Sequence, residues 1–71
     1  MVVSSISTVT GSPAVTFRVD SQTYTNRREG DVVSTTWGEV KVLAIDVPGQ
    51  VATFLHGSET VTLAVGDSIH E

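Results

Sequence analysis

Apolar and polar residues alternate along most of this chain. From Val15 to Asp20 every second residue is apolar, and the same holds from Thr60 to Val65. Such a period of two is typical of a β-strand with one buried face, so Val61, Leu63 and Val65 are predicted to face inward. The chain offers no window with helical spacing. We predict an all-β fold, a small sandwich or partly open barrel of about six to seven short antiparallel strands.

Other segments refine this prediction. The longest apolar run, Val40 to Val47, changes parity partway, which predicts a central strand with a β-bulge near Ala44 or burial on both faces. Pro48-Gly49 has the order of residues that favours a type II turn. The polar segment Asn26 to Asp31 is predicted to form an exposed loop, in which Gly30 adopts a left-handed conformation. Ser68 to His70 is predicted to form a short final strand.

The chain also contains an internal repeat. The pattern of strand, polar turn and returning strand recurs at an offset of 37 residues, whereas a Gly-Asp pair recurs at an offset of 36. The matching segments are Thr16-Phe17 with Thr53-Phe54, Ser21 to Thr25 with Ser58 to Thr62, and Gly30-Asp31 with Gly66-Asp67. Because turn chemistry explains an Asp that follows Gly, Asp31 and Asp67 are interpreted as turn residues rather than as an acid/base pair.

Composition narrows the possible partners. The 71 residues, taken as a single β domain, carry a net charge of −4, and a clustered positive face that could bind a nucleic-acid backbone is not apparent. There is no cysteine, so disulfides and thiolate zinc sites are excluded. Strands are predicted within two residues of both ends, which indicates a domain excised from a longer chain.

Few residues could carry chemistry, and we predict no enzyme, cofactor or metal site. His56 and His70, with nearby acidic residues, fit no known ligand spacing, although a metal-dependent hydrolase using the two histidines remains an alternative. Trp37 and Tyr24 could form a sugar-stacking platform or a protein-binding hot spot, or Trp37 could simply cover one end of the core. The candidate partner contacts are Trp37, His56, Arg27 and Arg28.

The order of motifs also suggests a family. The segments Val15 to Asp20, Glu29-Gly30-Asp31, Val40 to Ile45, Ala52 to Gly57 and Val65-Gly66-Asp67 span nearly the whole chain. Together they resemble the small β domain of type IV pilus assembly proteins of the PilO/PilP kind. That domain is similar in turn to the homology region of type II secretion inner-membrane proteins of the GspC group.

This resemblance implies a non-catalytic scaffold domain that lies outside the cytoplasmic membrane and contacts other pilus or secretion components. It implies no docking residues, because the family's contact surface has no motif that matches here. From the fold class, we expect open sheet edges to accept a partner strand, with the first and last strands as the most exposed edges.

Overall fold

The structure, a computed structural model, describes residues 1–68, which form seven β-strands and no helix. The strands are β1 (Val2–Val9), β2 (Ser12–Val19), β3 (Gln22–Arg27), β4 (Val32–Thr35), β5 (Gly38–Asp46), β6 (Val51–His56) and β7 (Glu59–Ala64).

The strands form two open antiparallel sheets, one of three strands in the order β1-β2-β3 and one of four in the order β4-β5-β6-β7. Alternate residues of both sheets face each other and form one apolar core. The largest fully buried side chains are those of Phe17, Phe54, Val3, Val15, Val19, Val40 and Val42. The predicted all-β fold is therefore confirmed as a small sandwich, and β5 lies inside its sheet, as expected.

The sequence repeat corresponds to two equivalent hairpins, one in each sheet. Phe17 pairs with Tyr24 across β2 and β3, and Phe54 pairs with Val61 across β6 and β7. Both hairpins close with a two-residue turn, in which Asp20 and Gly57 occupy equivalent positions with positive φ angles of 55° and 64°. Each hairpin therefore has the same register around its turn, at the offset of 37 that the sequence shows.

The two Gly-Asp turns tie each hairpin to a strand of the other sheet, the first turn to β5 and the second to β1. The amide of Gly30 donates to the carbonyl of Val42 at 2.7 Å, and the amide of Val42 donates to the carbonyl of Asp31 at 2.9 Å. In the second turn the amide of Gly66 donates to the carbonyl of Val3 at 2.9 Å, and the amide of Val3 donates to the carbonyl of Asp67 at 3.3 Å. Both strands shift register directly after these valines, at Val3/Ser5 and at Val42/Ala44. The bulge predicted near Ala44 is thus confirmed.

A β-bulge in β3 explains why the repeat has an offset of 37 residues in the hairpins but 36 at the Gly-Asp pairs. Val15 pairs with Arg27, but only one residue of β2 separates this pair from Phe17 and Tyr24, whereas β3 has two. Of these two, Asn26 has a φ of 52°, and its amide donates to Thr16 Oγ1 at 3.1 Å. No register shift interrupts the β6–β7 pairing. The extra residue converts the offset of 37 into one of 36.

Three local predictions are wrong. Pro48-Gly49 does not form a type II turn, because such a turn needs a positive φ at Gly49, and the positive φ lies instead at Gln50 (55°). The Asp46 carboxylate packs against Gly49. The segment predicted as a loop from Asn26 starts later, because β3 continues through Arg27. Val65 does not face inward, because it lies in the turn after β7 and is 38% exposed.

The remaining expectations have mixed outcomes. Gly30 has the predicted left-handed conformation, with a φ of 91°. Ser68 forms an isolated antiparallel bridge with Val2, but the rest of the predicted final strand lies outside the described residues. The first strand is an edge of its sheet, as expected. The described residues contain no helix long and apolar enough to cross a membrane.

Candidate functional site

A surface groove of about 480 Å³ lies at one end of the four-stranded sheet. It is open to solvent and combines apolar walls with two charged side chains. Its lining residues are Val32, Trp37, Gly38, Glu39, Lys41, Leu55, His56 and Gly57. We call this feature the Trp37 groove.

The register of the sheet places two apolar side chains in the groove. Val32 of β4 pairs with Lys41 of β5, which in turn pairs with Leu55 of β6. Their neighbours Val33 and Phe54 are buried, so this row points to the outer face of the sheet. Val32 is 54% exposed, the highest value among the large apolar side chains of the described residues. The apolar wall therefore occupies positions that are ordinarily polar.

Trp37 lies in the turn between β4 and β5 rather than in a strand, and it is half-buried against the core. Its amide donates to Thr35 Oγ1 at 3.0 Å. His56 Nε2 lies 2.6 Å from the carbonyl oxygen of Trp37, and the two rings are 5.8 Å apart. Because a carbonyl only accepts hydrogen bonds, this contact assigns a proton to Nε2. Trp37 packs against the core, as one of the alternatives proposed, and it also lines the groove.

Of Trp37 and His56, it is His56 that has an equivalent position in the internal repeat and differs from the residue found there. It ends β6 where Val19, fully buried, ends β2. His56 is instead half-buried and lines the groove. A polar ring therefore replaces a core valine at the place where the turn carrying Trp37 approaches the sheet.

Two opposite charges line the groove beside the apolar wall. Glu39 and Lys41 are separated by one residue on β5, so both side chains point to the outer face. Glu39 pairs with Ser34, whereas Lys41 lies between Val32 and Leu55. An apolar patch bordered by charges of both signs has the composition of a small protein-binding site, in which an apolar centre is surrounded by a polar rim.

The structure separates Arg27 and Arg28 from the other two candidate contacts. The Arg28 guanidinium donates to Thr10 Oγ1 at 3.2 Å, close to the start of β2. Thr36, the residue before Trp37, instead bonds through its hydroxyl to the carboxylate of Asp20, just beyond the end of β2. Eight residues of β2 lie between these ends, a distance of about 23 Å at 3.3 Å per residue. Arg28 and the Trp37 groove are therefore at opposite ends of the sandwich, and Arg27, paired with Val15 of β2, is also separated from the groove.

Arg27 is half-buried beside β2, and its neighbour Glu29 bonds the backbone of β5. Arg27 pairs with the buried Val15, and its Nε atom is buried without a hydrogen-bond partner. Glu29 Oε2 accepts a hydrogen bond of 2.8 Å from the amide of Ile45, just beyond the bulge of β5. This end of the molecule also has a smaller depression of about 200 Å³, lined by Ser12, Pro13, Arg28 and Glu29.

Tyr24 does not share a platform with Trp37. Its ring stacks on Phe17 with centroids 5.3 Å apart, and its hydroxyl donates to the carbonyl of Ser34 at 3.1 Å. Tyr24 is absent from the lining of the groove. A sugar site built on both aromatics is therefore not formed, and stacking on Trp37 alone remains.

The acidic residues singled out in the sequence act within turns. Asp31 Oδ2 accepts from the amide of Arg28 at 2.9 Å, and Asp67 Oδ2 accepts from the amide of Ala64 at 3.3 Å. Their interpretation as turn residues is confirmed. Within residues 1–68, no group of three or more His, Cys, Asp or Glu side chains could hold a metal ion. His70 lies outside the described residues, so its pairing with His56 stays untested.

Sequence reasoning identified Trp37 and His56 but missed Val32, Leu55, Glu39 and Lys41. A signal was available for Val32 and Leu55, because each stands directly next to another large apolar residue, and adjacent residues of a strand point to opposite faces of the sheet. Comparison of the chain with protein-family models, with curated proteins and with solved structures finds no match.

Proposed function

We propose that this chain is a non-enzymatic protein-interaction domain that uses the Trp37 groove to bind a partner protein. The observation that carries the proposal is the row of outward-facing apolar side chains, Val32 and Leu55, next to the Trp37 ring. Burying such side chains against a partner is favourable, and Trp is strongly enriched among residues that dominate binding energy.

Preorganisation of the groove supports this proposal. The backbone of Trp37 is held at its amide by Thr35 and at its carbonyl by His56. Val32 and Leu55 lie on strands of a continuous four-stranded sheet. Little conformational freedom remains to be lost on binding, so more of the contact energy contributes to affinity. The groove suits one apolar side chain of a partner, with Glu39 and Lys41 available to polar groups beside it.

The assembly in which this domain works is a further part of the proposal. The succession of strands and Gly-Asp turns resembles the small β domain of type IV pilus and type II secretion scaffolds, and the two-sheet fold is compatible with such a module. On this basis the parent protein is membrane-anchored, and the domain lies on the extracytoplasmic side of the membrane. Protease accessibility of the tagged full-length protein in intact spheroplasts tests this: protection of the domain would contradict the extracytoplasmic location.

A second candidate function is binding of a carbohydrate or another small ligand. The observation in its favour is the Trp37 ring within a groove whose volume lies in the range of small-molecule sites. A single aromatic without Tyr24 gives this candidate less support than a two-ring platform would.

The groove is tested by a pair of matched substitutions. Val32 and Leu43 are both exposed apolar residues of the four-stranded sheet, with 54% and 38% exposure, but only Val32 lines the groove. Peptides selected from a random phage-displayed library against the unmodified chain provide the probe. We expect Val32→Asp to weaken their binding at least tenfold and Leu43→Asp to leave it within about twofold. Equal losses from both variants, or from neither, would contradict docking in the groove.

A further inference from the structure

Within residues 1–68, three of the four sheet-edge strands are protected against pairing with another chain, and β7 is the exception. Unpaired amides and carbonyls on an edge strand are a template for a further strand, and proteins protect such edges with bulges, short strands or covering groups. The edge strands here are β1 and β3 in one sheet and β4 and β7 in the other.

The first three edges each carry a protecting feature. The outer side of β1 is bonded by the second Gly-Asp turn and by the bridge to Ser68. β3 is interrupted by the bulge at Asn26, which has a positive φ. β4 has only four residues, and the carbonyl of Ser34 accepts the Tyr24 hydroxyl.

The fourth edge, β7, has six residues in regular register, with Glu59 as its only charged side chain and no proline. Because His56 and Glu59 flank a two-residue turn, they form a hydrogen-bonded pair, and such pairs alternate along the strand. The backbone groups of Glu59, Val61 and Leu63 thus face β6, whereas those of Thr60 and Thr62 point to the open side. No other described segment bonds the Thr60 and Thr62 backbone groups.

Beyond Thr62 the open edge ends at a turn. The amide of Ala64 donates to the Asp67 carboxylate at 3.3 Å, and the carbonyl of Ala64 accepts from the Asp67 amide at 3.0 Å. The unpaired part of the edge therefore consists of two amides and two carbonyls, on Thr60 and Thr62. A strand from another molecule that pairs here must therefore offer hydrogen-bond partners for these two amides and two carbonyls.

We propose that β7 pairs with β7 of a second copy of this chain, antiparallel and with the two-fold axis at Val61. This register places Thr60 opposite Thr62 of the partner, and Thr62 opposite Thr60. The two copies then have four amides and four carbonyls, and four hydrogen bonds satisfy all eight groups. A different register leaves some of these groups unmatched or displaces the Asp67 contacts.

The side chains also suit this self-pairing. Val61 is half-buried and meets its own counterpart at the axis as a non-hydrogen-bonded pair, the closer type, so the remaining exposed surface of both valines is reduced. On the outer face, Thr62 Oγ1 already lies 3.2 Å from Thr53 Oγ1, and each Thr62 gains a threonine opposite it. The two Glu59 side chains lie on opposite sides of the axis, so the pairing places no like charges directly across from each other.

The chain has no cysteine, so a single introduced cysteine reports on this contact. Antiparallel partners in a non-hydrogen-bonded pair have Cα atoms about 4.5 Å apart, within the range that a disulfide spans. Under mild oxidation we expect Val61→Cys to form a covalent dimer at least tenfold faster than Thr23→Cys, which places a thiol at an exposed position of β3. Random collision would favour the more exposed thiol of Thr23→Cys, and that order of rates would overturn the proposal.

A proline substitution tests the backbone bonds independently. The Thr62 amide faces away from β6, so Thr62→Pro removes no backbone hydrogen bond within the hairpin but removes a donor from the dimer. Both Thr62→Pro and its control Thr62→Ala lose the side-chain contact with Thr53. In sedimentation equilibrium, we expect the unmodified chain and Thr62→Ala to dimerise with increasing concentration and folded Thr62→Pro, checked by circular dichroism, to remain monomeric. If Thr62→Pro unfolds, the cysteine rates decide alone. A chain that stays monomeric at millimolar concentration would contradict the pairing, whereas the Trp37 groove, on β4 to β6, would be unaffected.

Discussion

Phe17 and Phe54 meet edge to face in the centre of the sandwich, with ring centroids 5.0 Å apart and an angle of 64° between their planes. Both side chains are fully buried, and they occupy equivalent positions of the two hairpins, one in each sheet. The contact therefore joins the two halves of the repeat at the pseudo-symmetric centre of the core. Because the chain is small, a large share of its stability depends on such contacts.

The first prediction concerns this pair. We expect Phe17→Leu and Phe54→Leu each to lower the free energy of unfolding by about 1–2 kcal/mol, with the larger loss for Phe17, which also stacks on Tyr24. The double variant should lose about 0.5–1.5 kcal/mol less than the sum, because the ring–ring contact is removed only once. Urea denaturation measures all four chains, and strict additivity would show that the rings contribute no specific coupling.

The second prediction concerns the two Gly-Asp turns. Gly30 and Gly66 have φ angles of 91° and 92°, and a Cβ atom at either position would meet no other atom within 4 Å. The cost of alanine there is therefore conformational, and we expect about 1–2 kcal/mol for each. Asparagine, which tolerates positive φ better, should cost less than alanine at both positions. Thermal unfolding measures the effect, and a neutral Gly66→Ala would contradict the equivalence of the turns.

The third prediction concerns the bulge at Asn26. Its φ of 52° is accessible to asparagine and glycine but is strained for a β-branched residue. We expect Asn26→Gly to change the free energy of unfolding by less than about 0.5 kcal/mol, and Asn26→Val to lower it by about 1–2 kcal/mol. A valine that is tolerated as well as glycine would show that the bulge does not need a left-handed residue.

Much of the fold follows from short-range patterns in the sequence, as the two hairpins show. The offset of 37 correctly matches the segments that become β2–β3 and β6–β7, and Phe17 and Phe54, which this offset relates, are both buried. Period-two alternation indicates which face is buried in regular strands such as β7, and Gly-Asp indicates a turn. The change of offset to 36 was visible, but not its cause, because a bulge depends on how the strand pairs with its neighbour.

The Trp37 groove was less predictable for the same reason. Val32, Lys41 and Leu55 are far apart in sequence, and only the register of three strands places them in one row. Trp37 lies in a turn, and its contact with His56 depends on the distance between that turn and the end of β6. The separation of Arg27 and Arg28 from Trp37 also required the three-dimensional arrangement of the strands.

The fourth prediction concerns the contact between His56 and Trp37. His56→Val restores the residue type found at the equivalent position, Val19, and so preserves apolar packing while removing the bond to the Trp37 carbonyl. We expect stability to change by less than about 1 kcal/mol, because the exposed side of the turn can bond water instead. The fluorescence anisotropy of Trp37 should fall as the turn loosens. Unchanged anisotropy would show that Thr35 alone fixes the tryptophan.

Trp37 is the only tryptophan in the chain, so its fluorescence reports directly on the groove. The most direct test of the proposed function is a fluorescence titration of the unmodified chain with library-selected peptides and, in parallel, with oligosaccharides such as chitotetraose and cellopentaose. We predict a saturable change in Trp37 emission with the peptides, lost in Val32→Asp and retained in Leu43→Asp, and no change with the sugars. A saturable response to a sugar, or peptide binding that leaves Trp37 emission unchanged, would contradict a protein-binding groove at this site.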